Sequence, residues 1–173
     1  LNYIAPHIGQ KRKYGKIRIG FISAHLGNHT IGKLNHSLIS GLNKNKFELY
    51  LFCLGANKRT KDGICQKFVN NIDKISFLNS TLSHMHSTIS RAKLDIVYYP
   101  DIGMEPLSYF LGFSRLAPVQ CVTWGHPISS GISTIDYFIS SELTELVTSD
   151  SQYTEKLLRL KYFSTDYSRP NKL

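Results

Sequence analysis

A chain of 173 residues with 42% hydrophobic and 19% charged side chains has apolar material for one buried core, and it is read as one domain. Its 21 Lys and Arg against 12 Asp and Glu leave a formal charge of +9. Apart from Lys11-Arg12-Lys13 and Lys58-Arg59 the cations are scattered and not interleaved with aromatics, which argues against a nucleic-acid partner but gives a field that favours a nucleotide diphosphate.

No apolar run reaches the roughly 18 residues that span a bilayer, and LNYIAPHIGQKRKYGK has no apolar stretch behind its charges. The expectation is a soluble, cytoplasmic protein without a membrane partner. Cys53, Cys65 and Cys121 are odd in number and far apart, which reads as free thiols in a reducing compartment. None has metal-ligand spacing, and His84-Met85-His86 lacks a third ligand at a fixed offset, so no metal is expected.

Residues 1–15, with Pro6, Gly9 and Gly15, read as a linker. Lys16–Ser23 alternates and then runs apolar, as a strand buried on both faces does. Ile31, Leu34, Leu38, Ile39 and Leu42 then recur at helical spacing. Phe47–Leu54 reads as a second strand, the stretch around Ile64, Cys65, Phe68 and Val69 as a short helix, and Lys74–Leu78 as a third strand. Leu82, Met85 and Ile89 mark a helix face, Leu94–Tyr99 a fourth strand and Pro106–Phe113 a further helix. Val119–Trp124 and Ile135–Ser140 supply two more strands. Thr148-Ser149-Asp150 suits a helix cap for a segment through Lys156, with Leu157–Leu160 as an edge strand and residues 161–173 as a second linker. Strands alternating with helices predict a three-layer α/β domain over residues 16–160, built on a mostly parallel, doubly wound sheet.

In such a sheet, ligands bind outside the carboxyl ends of the strands. Three loops qualify: Ala24–Thr30, Pro100–Glu105 and Gly125–Gly131. They carry His25, Asn28, His29, Asp101, Glu105, His126, Ser129 and Ser130, a set of imidazoles and carboxylates suited to proton transfer near neutral pH. Each has a plainer reading. His29 equally suits a helix cap, Asp101 a cap or turn, and His126 sits where the backbone of a tight Gly-His-Pro turn counts for more than the ring. Trp124 fits the core better than a stacking platform. Gly27 to Lys33 matches the phosphate-binding pattern GxxxxGK[ST] until Leu34, which has no hydroxyl for magnesium. Amides at Thr30 to Gly32 still suit an anion.

The stretches KIRIGFISAHLGNHT, RLAPVQCVTWGHPISSGISTIDYFISS and Tyr153-Thr-Glu-Lys-Leu157, in that order over roughly residues 16–160, resemble the N-terminal catalytic half of the O-linked N-acetylglucosamine transferase family, glycosyltransferase family 41. The resemblance implies one Rossmann-like half of a GT-B enzyme that transfers a sugar from a uridine-diphosphate donor to Ser or Thr of an acceptor protein with inversion. It implies that His29 matches the histidine proposed as catalytic base. Gly125, Pro127 and Ser129-Ser130-Gly131 would line the sugar pocket, with Asn28, Thr30, Asp101 and His126 as further substrate-binding candidates. The family places tetratricopeptide repeats before this half and the uridine-diphosphate site mainly after it, so the chain alone is expected to be inactive. Thr30 replaces the usual proline, His126 stands where many members have tyrosine, and Ala92 and Lys93 offer no counterpart to a carboxylate invoked as a base. The competing expectations are a phosphate-loop nucleotide-binding domain and a non-catalytic peptide-binding module.

Overall fold

Alternation along the strands sorts their side chains onto two faces, and helices cover both. In the computed structural model, which describes residues 3–11, 15–55, 70–78, 81–165 and 167, one sheet contains β1 (Ile17–Ser23), β2 (Phe47–Leu54), β3 (Lys74–Leu78), β4 (Ile96–Tyr99), β5 (Val119–Thr123), β6 (Tyr137–Ser141) and β7 (Lys156–Leu160). Their order is β3-β2-β1-β4-β5-β6-β7, and every neighbouring pair is parallel. Helix α1 (Thr30–Gly41) packs through Ile31 and Ile39 with Ile19, Phe21, Leu49, Leu51 and Tyr98. Helices α2 (Leu82–Arg91) and α3 (Pro106–Gly112) pack through Met85, Ile89 and Leu111 with the alternate residues Ile22, Tyr50, Phe52, Val97 and Val122. The expected three-layer, doubly wound α/β fold is what the chain forms.

Strands β1 to β3 are laid down in one direction, and the chain then crosses back to build β4 to β7 in the other. Helices α1 and α2 pack into different core clusters, on opposite faces of the sheet. The reversal between β1 and β4 opens a crevice at their carboxyl ends, which is where the candidate loops emerge.

Several expectations shift. The helix expected from Thr148 through Lys156 is only a 3-10 turn, Ser149–Gln152, because the Thr148 side chain makes no capping bond and Asp150 instead pairs with Arg159. Lys156 opens β7. Strand β4 begins at Ile96 rather than Leu94, and β6 at Tyr137 rather than Ile135, since Ile135 N closes a turn onto Ile132 O. Leu38 is more than a third exposed, and Asn35 takes its place on the buried stripe of α1. Asn35 Nδ2 donates to Ile31 O and its Oδ1 accepts from Tyr98 Oη, so a polar residue satisfies the packing that an apolar pattern sought.

Within the stretch read as a leading linker, Ala5 is buried, Ile4 bridges Arg115, and the Tyr3 ring stacks on His86 at 4.3 Å. Cys53 and Cys121 are free thiols. The helix expected around Ile64 to Val69, Cys65, Arg12-Lys13 and Lys58-Arg59 lie outside the described residues. Among the described residues no helix is long and apolar enough to cross a membrane.

Candidate active site at the carboxyl edge of the sheet

The first two loops are fastened together by a buried carboxylate. Ser23, the last residue of β1, donates through Oγ to Asp101 Oδ2 at 2.8 Å, and Ala24 N donates to the same oxygen at 3.1 Å. Ser23 Oγ in turn accepts from His25 N and Leu26 N, which bends the chain out of the strand. Asp101 is fully buried and its Oδ1 has no hydrogen-bond partner among the described residues. Burial pushes its carboxyl up to about 6 against the pull of its Ser23 and Ala24 donors. Asp101, a substrate-binding candidate that equally suited a cap or turn, lies buried beneath the loops and joins the β1 and β4 corners.

His29 stands at the start of α1 in extended conformation, φ −136° and ψ 158°, and its Nδ1 accepts from Ile31 N at 3.2 Å. It therefore is a helix cap, worth about 1 kcal/mol. With Nδ1 accepting, a neutral ring carries its proton on Nε2. To take up a second proton the ring must use Nδ1 and release the cap, so a base role couples proton uptake to opening of the first turn of α1. The half-buried ring also stacks on His25 at 4.5 Å, while Asn28 and Thr30 on either side are exposed.

The stretch that resembles a phosphate loop is tightly folded. A Cβ on Gly32 would fall 2.1 Å from Gly27 O, so the two glycines of the apparent motif are in close backbone contact. The helix begins at Thr30, before the motif's Gly-Lys.

The third loop closes on the other two. A Cβ on Gly125 would meet Pro100 O at 1.8 Å and Ile31 Cδ1 at 3.0 Å. Only glycine fits there. Ile31 lies two residues beyond His29, so all three loops converge on one corner above β1, β4 and β5. His126 lies against Gly103, and beside it opens a cavity of about 610 Å³ with Met104, Tyr109, Phe110 and Ile128 among its apolar walls. Pro127 and Gly131 are exposed. Trp124 packs its half-buried ring against the core and donates through Nε1 to Ser164 Oγ at 2.5 Å. Ser129 and Ser130 direct their hydroxyls at Glu155, a buried residue that the sequence reading left among the family-like letters of Tyr153-Thr-Glu-Lys-Leu157 without a role. Its signal was present but local: a carboxylate immediately before an edge strand.

The Arg115 to Gln120 half of the long segment serves the opposite edge. Buried Gln120 accepts from Leu116 N and donates to Ser114 O and Thr134 O, while Arg115 pairs with Asp136 at 2.6 Å. These residues turn the chain into β5.

The family model for glycosyl transferase family 41 matches residues 3–169. The chain is 26% identical over 167 residues to a probable UDP-N-acetylglucosamine–peptide N-acetylglucosaminyltransferase, SEC, of Arabidopsis thaliana, covering 93% of this chain and 17% of that protein. It is 38% identical over 65 residues to the UDP-glucose:protein N-beta-glucosyltransferase of Actinobacillus pleuropneumoniae serotype 7, covering 38% of this chain and 10% of that one. Among solved structures, a mutant O-GlcNAc transferase of Thermobaculum terrenum superposes with a TM-score of 0.82 at 23% identity, over 91% of this chain and 30% of the other. That likeness concerns the fold. The chain thus spans under a third of the length of these relatives, and by the match along almost all of its own length it belongs to glycosyltransferase family 41.

Proposed function

We propose that this chain forms the acceptor-side half of a protein glycosyltransferase that takes a uridine-diphosphate sugar. The observation that carries the reading is the family match over residues 3–169, and the convergence of three loops at the strand-order reversal is consistent with it. In the complete protein a second α/β half holds the diphosphate, and tetratricopeptide repeats precede the catalytic region. The acceptor's nucleophile attacks the anomeric carbon while uridine diphosphate leaves, with inversion. His29 serves the transfer from the first loop, either donating a hydrogen bond through Nε2 with its cap intact or taking the proton at Nδ1 as the cap opens. The Gly125 to Gly131 loop and the cavity beside His126 shape the sugar and acceptor subsites. The scheme calls on no metal ion, so chelation with EDTA leaves the rate unchanged.

N-acetylglucosamine delivered to Ser or Thr is the first reading. The 38% identity to a UDP-glucose:protein N-beta-glucosyltransferase over 65 residues favours a second, glucose delivered to a protein nitrogen. Incubating the complete protein with a panel of acceptor polypeptides and either UDP-glucose or UDP-N-acetylglucosamine, followed by mass spectrometry, separates them by the mass gained and the residue carrying it. No transfer from any nucleotide sugar would refute the enzyme reading. A non-catalytic peptide-binding module would instead bind acceptor peptides with an affinity that uridine diphosphate does not change. The 173-residue chain alone supplies one wall of the cleft and is expected not to turn over; turnover by it would overturn that part.

A further inference from the structure

We propose that Glu155 is a positioning residue of the candidate active site, a carboxylate that clamps the Gly125 to Gly131 loop in its working shape. Glu155 is 4% exposed and lies just before β7. Its Oε1 accepts from Ser130 N at 2.8 Å and from Ser130 Oγ, and its Oε2 accepts from Ser129 Oγ at 2.7 Å and Thr154 Oγ1 at 3.2 Å. Thr154 Oγ1 also lies 2.9 Å from Ser129 Oγ, so its one proton is shared between Ser129 and Glu155, and the three donors of Ser129 and Ser130 engage both carboxylate oxygens. Among the described residues no Lys or Arg forms an ion pair with it, so its charge is stabilised by the loop's own donors.

The two serines pass the constraint onward. Ser129 Oγ also accepts from Gly131 N at 3.3 Å and Thr154 N at 3.1 Å, and Ser130 Oγ accepts from Ile132 N at 3.2 Å. Gly131 is thereby held at φ +67°, a conformation open to glycine. Burial pushes the Glu155 carboxyl up, and its Ser130 and Ser129 donors outweigh that, holding it below the ordinary 4.5.

Two consequences follow for the chemistry of the site. The hydroxyl protons of Ser129 and Ser130 are committed to Glu155, so these side chains do not donate to a sugar, and their contribution is the shape of the turn. Glu155 itself is saturated by its own chain and touches no substrate. It acts through the loop, at the wall of the cavity that Ser129 and Ser130 share with His126 and Ile128. The catalytic part of this inference rests on the transferase reading; the clamp does not.

Glu155→Gln is the direct test, because it keeps the size of the side chain, removes the charge and turns one of the two acceptor oxygens into an NH2 donor, so that it can no longer accept from both serines. In the 173-residue chain, amide hydrogen exchange at Ser130 and Ile132 is expected to accelerate on the order of 10–100-fold, the scale of losing a charge-assisted buried bond, while β1 and β4 amides keep their protection. In the complete protein, kcat/KM is expected to fall by a similar factor, with Ser129→Ala and Ser130→Ala each falling less and Ser130→Thr restoring the rate. Unchanged exchange would overturn the clamp. Faster exchange with kcat/KM intact, or improved as if a freed hydroxyl bound sugar, would overturn the positioning role. Faster exchange where the wild type itself transfers no sugar would uphold the clamp and sink the transferase reading instead. If Glu155→Gln does not fold, the double variant Ser129→Ala/Ser130→Ala removes the donors from the other side and must loosen the same amides.

Discussion

The two ends of β5 are built on different principles. At its start, Gln120, Arg115 and Asp136 bind one another and the local backbone, and Gln120 is fully buried. At its far end Gly125 has given up a side chain so that three loops touch, and Asn28, Thr30, Pro127 and Gly131 stay exposed around them. Both ends come from one segment with the same family-like letters. Residues that satisfy their own chain hold the fold, whereas residues that leave surface uncovered are available to a ligand. Resemblance alone does not separate the two.

The sharpest way to break that contrast is Gln120→Ala. It leaves Leu116 N, Ser114 O and Thr134 O without partners and is expected to cost about 3–5 kcal/mol in urea unfolding. A loss under about 1 kcal/mol would mean that water reaches this end and that it is no more structural than the other.

Asp101 sharpens the comparison, since it sits at the ligand end yet is buried like the residues of the opposite edge. Its carboxyl is raised in the folded protein, to about 6 from 3.8, so the folded state holds the proton more tightly than the unfolded chain. The stability it contributes is full below about pH 3.8 and is lost as pH rises through about 6, by roughly 3 kcal/mol. Asp101→Asn is expected to flatten the unfolding profile across that window. A wild-type profile already flat there, measured by thermal melts between pH 4 and 8, would show that the group does not titrate as its burial dictates.

Gly125→Ala tests the convergence itself. The added methyl meets Pro100 O, and the overlap is expected to cost about 1–3 kcal/mol and to separate the loops. Wild-type stability in this variant would mean that the corner yields without cost. His29→Ala is expected to cost the least, about 1 kcal/mol for the lost cap, with the melting profile otherwise unchanged.

The layered fold was legible in the sequence because alternation and helical spacing report burial directly: Phe47–Leu54 and Lys74–Leu78 hold at the expected bounds. The helix after Thr148 was not, since the Thr148 side chain makes no capping bond and the segment stops as a 3-10 turn before β7 begins at Lys156. The three loops were placed at the correct edge by the topology of a parallel sheet. What each polar residue does there was not legible. Ser23 and Asp101, or Ser130 and Glu155, are 78 and 25 residues apart, and a hydrogen bond across such a gap leaves no local pattern. Asp101 read as a substrate candidate or a turn former and Glu155 had no reading, and the burial of both carboxylates with the loops they fasten is visible only in the fold.

The measurement that bears most directly on the corner as a site of sugar transfer is turnover by the complete protein with His29→Ala, taken beside its unfolding free energy. The expected result is a loss of about a hundredfold or more in rate with stability lowered by only about 1 kcal/mol. Unchanged turnover would make His29 a cap and nothing else, and would move the chemistry away from the place where the three loops meet.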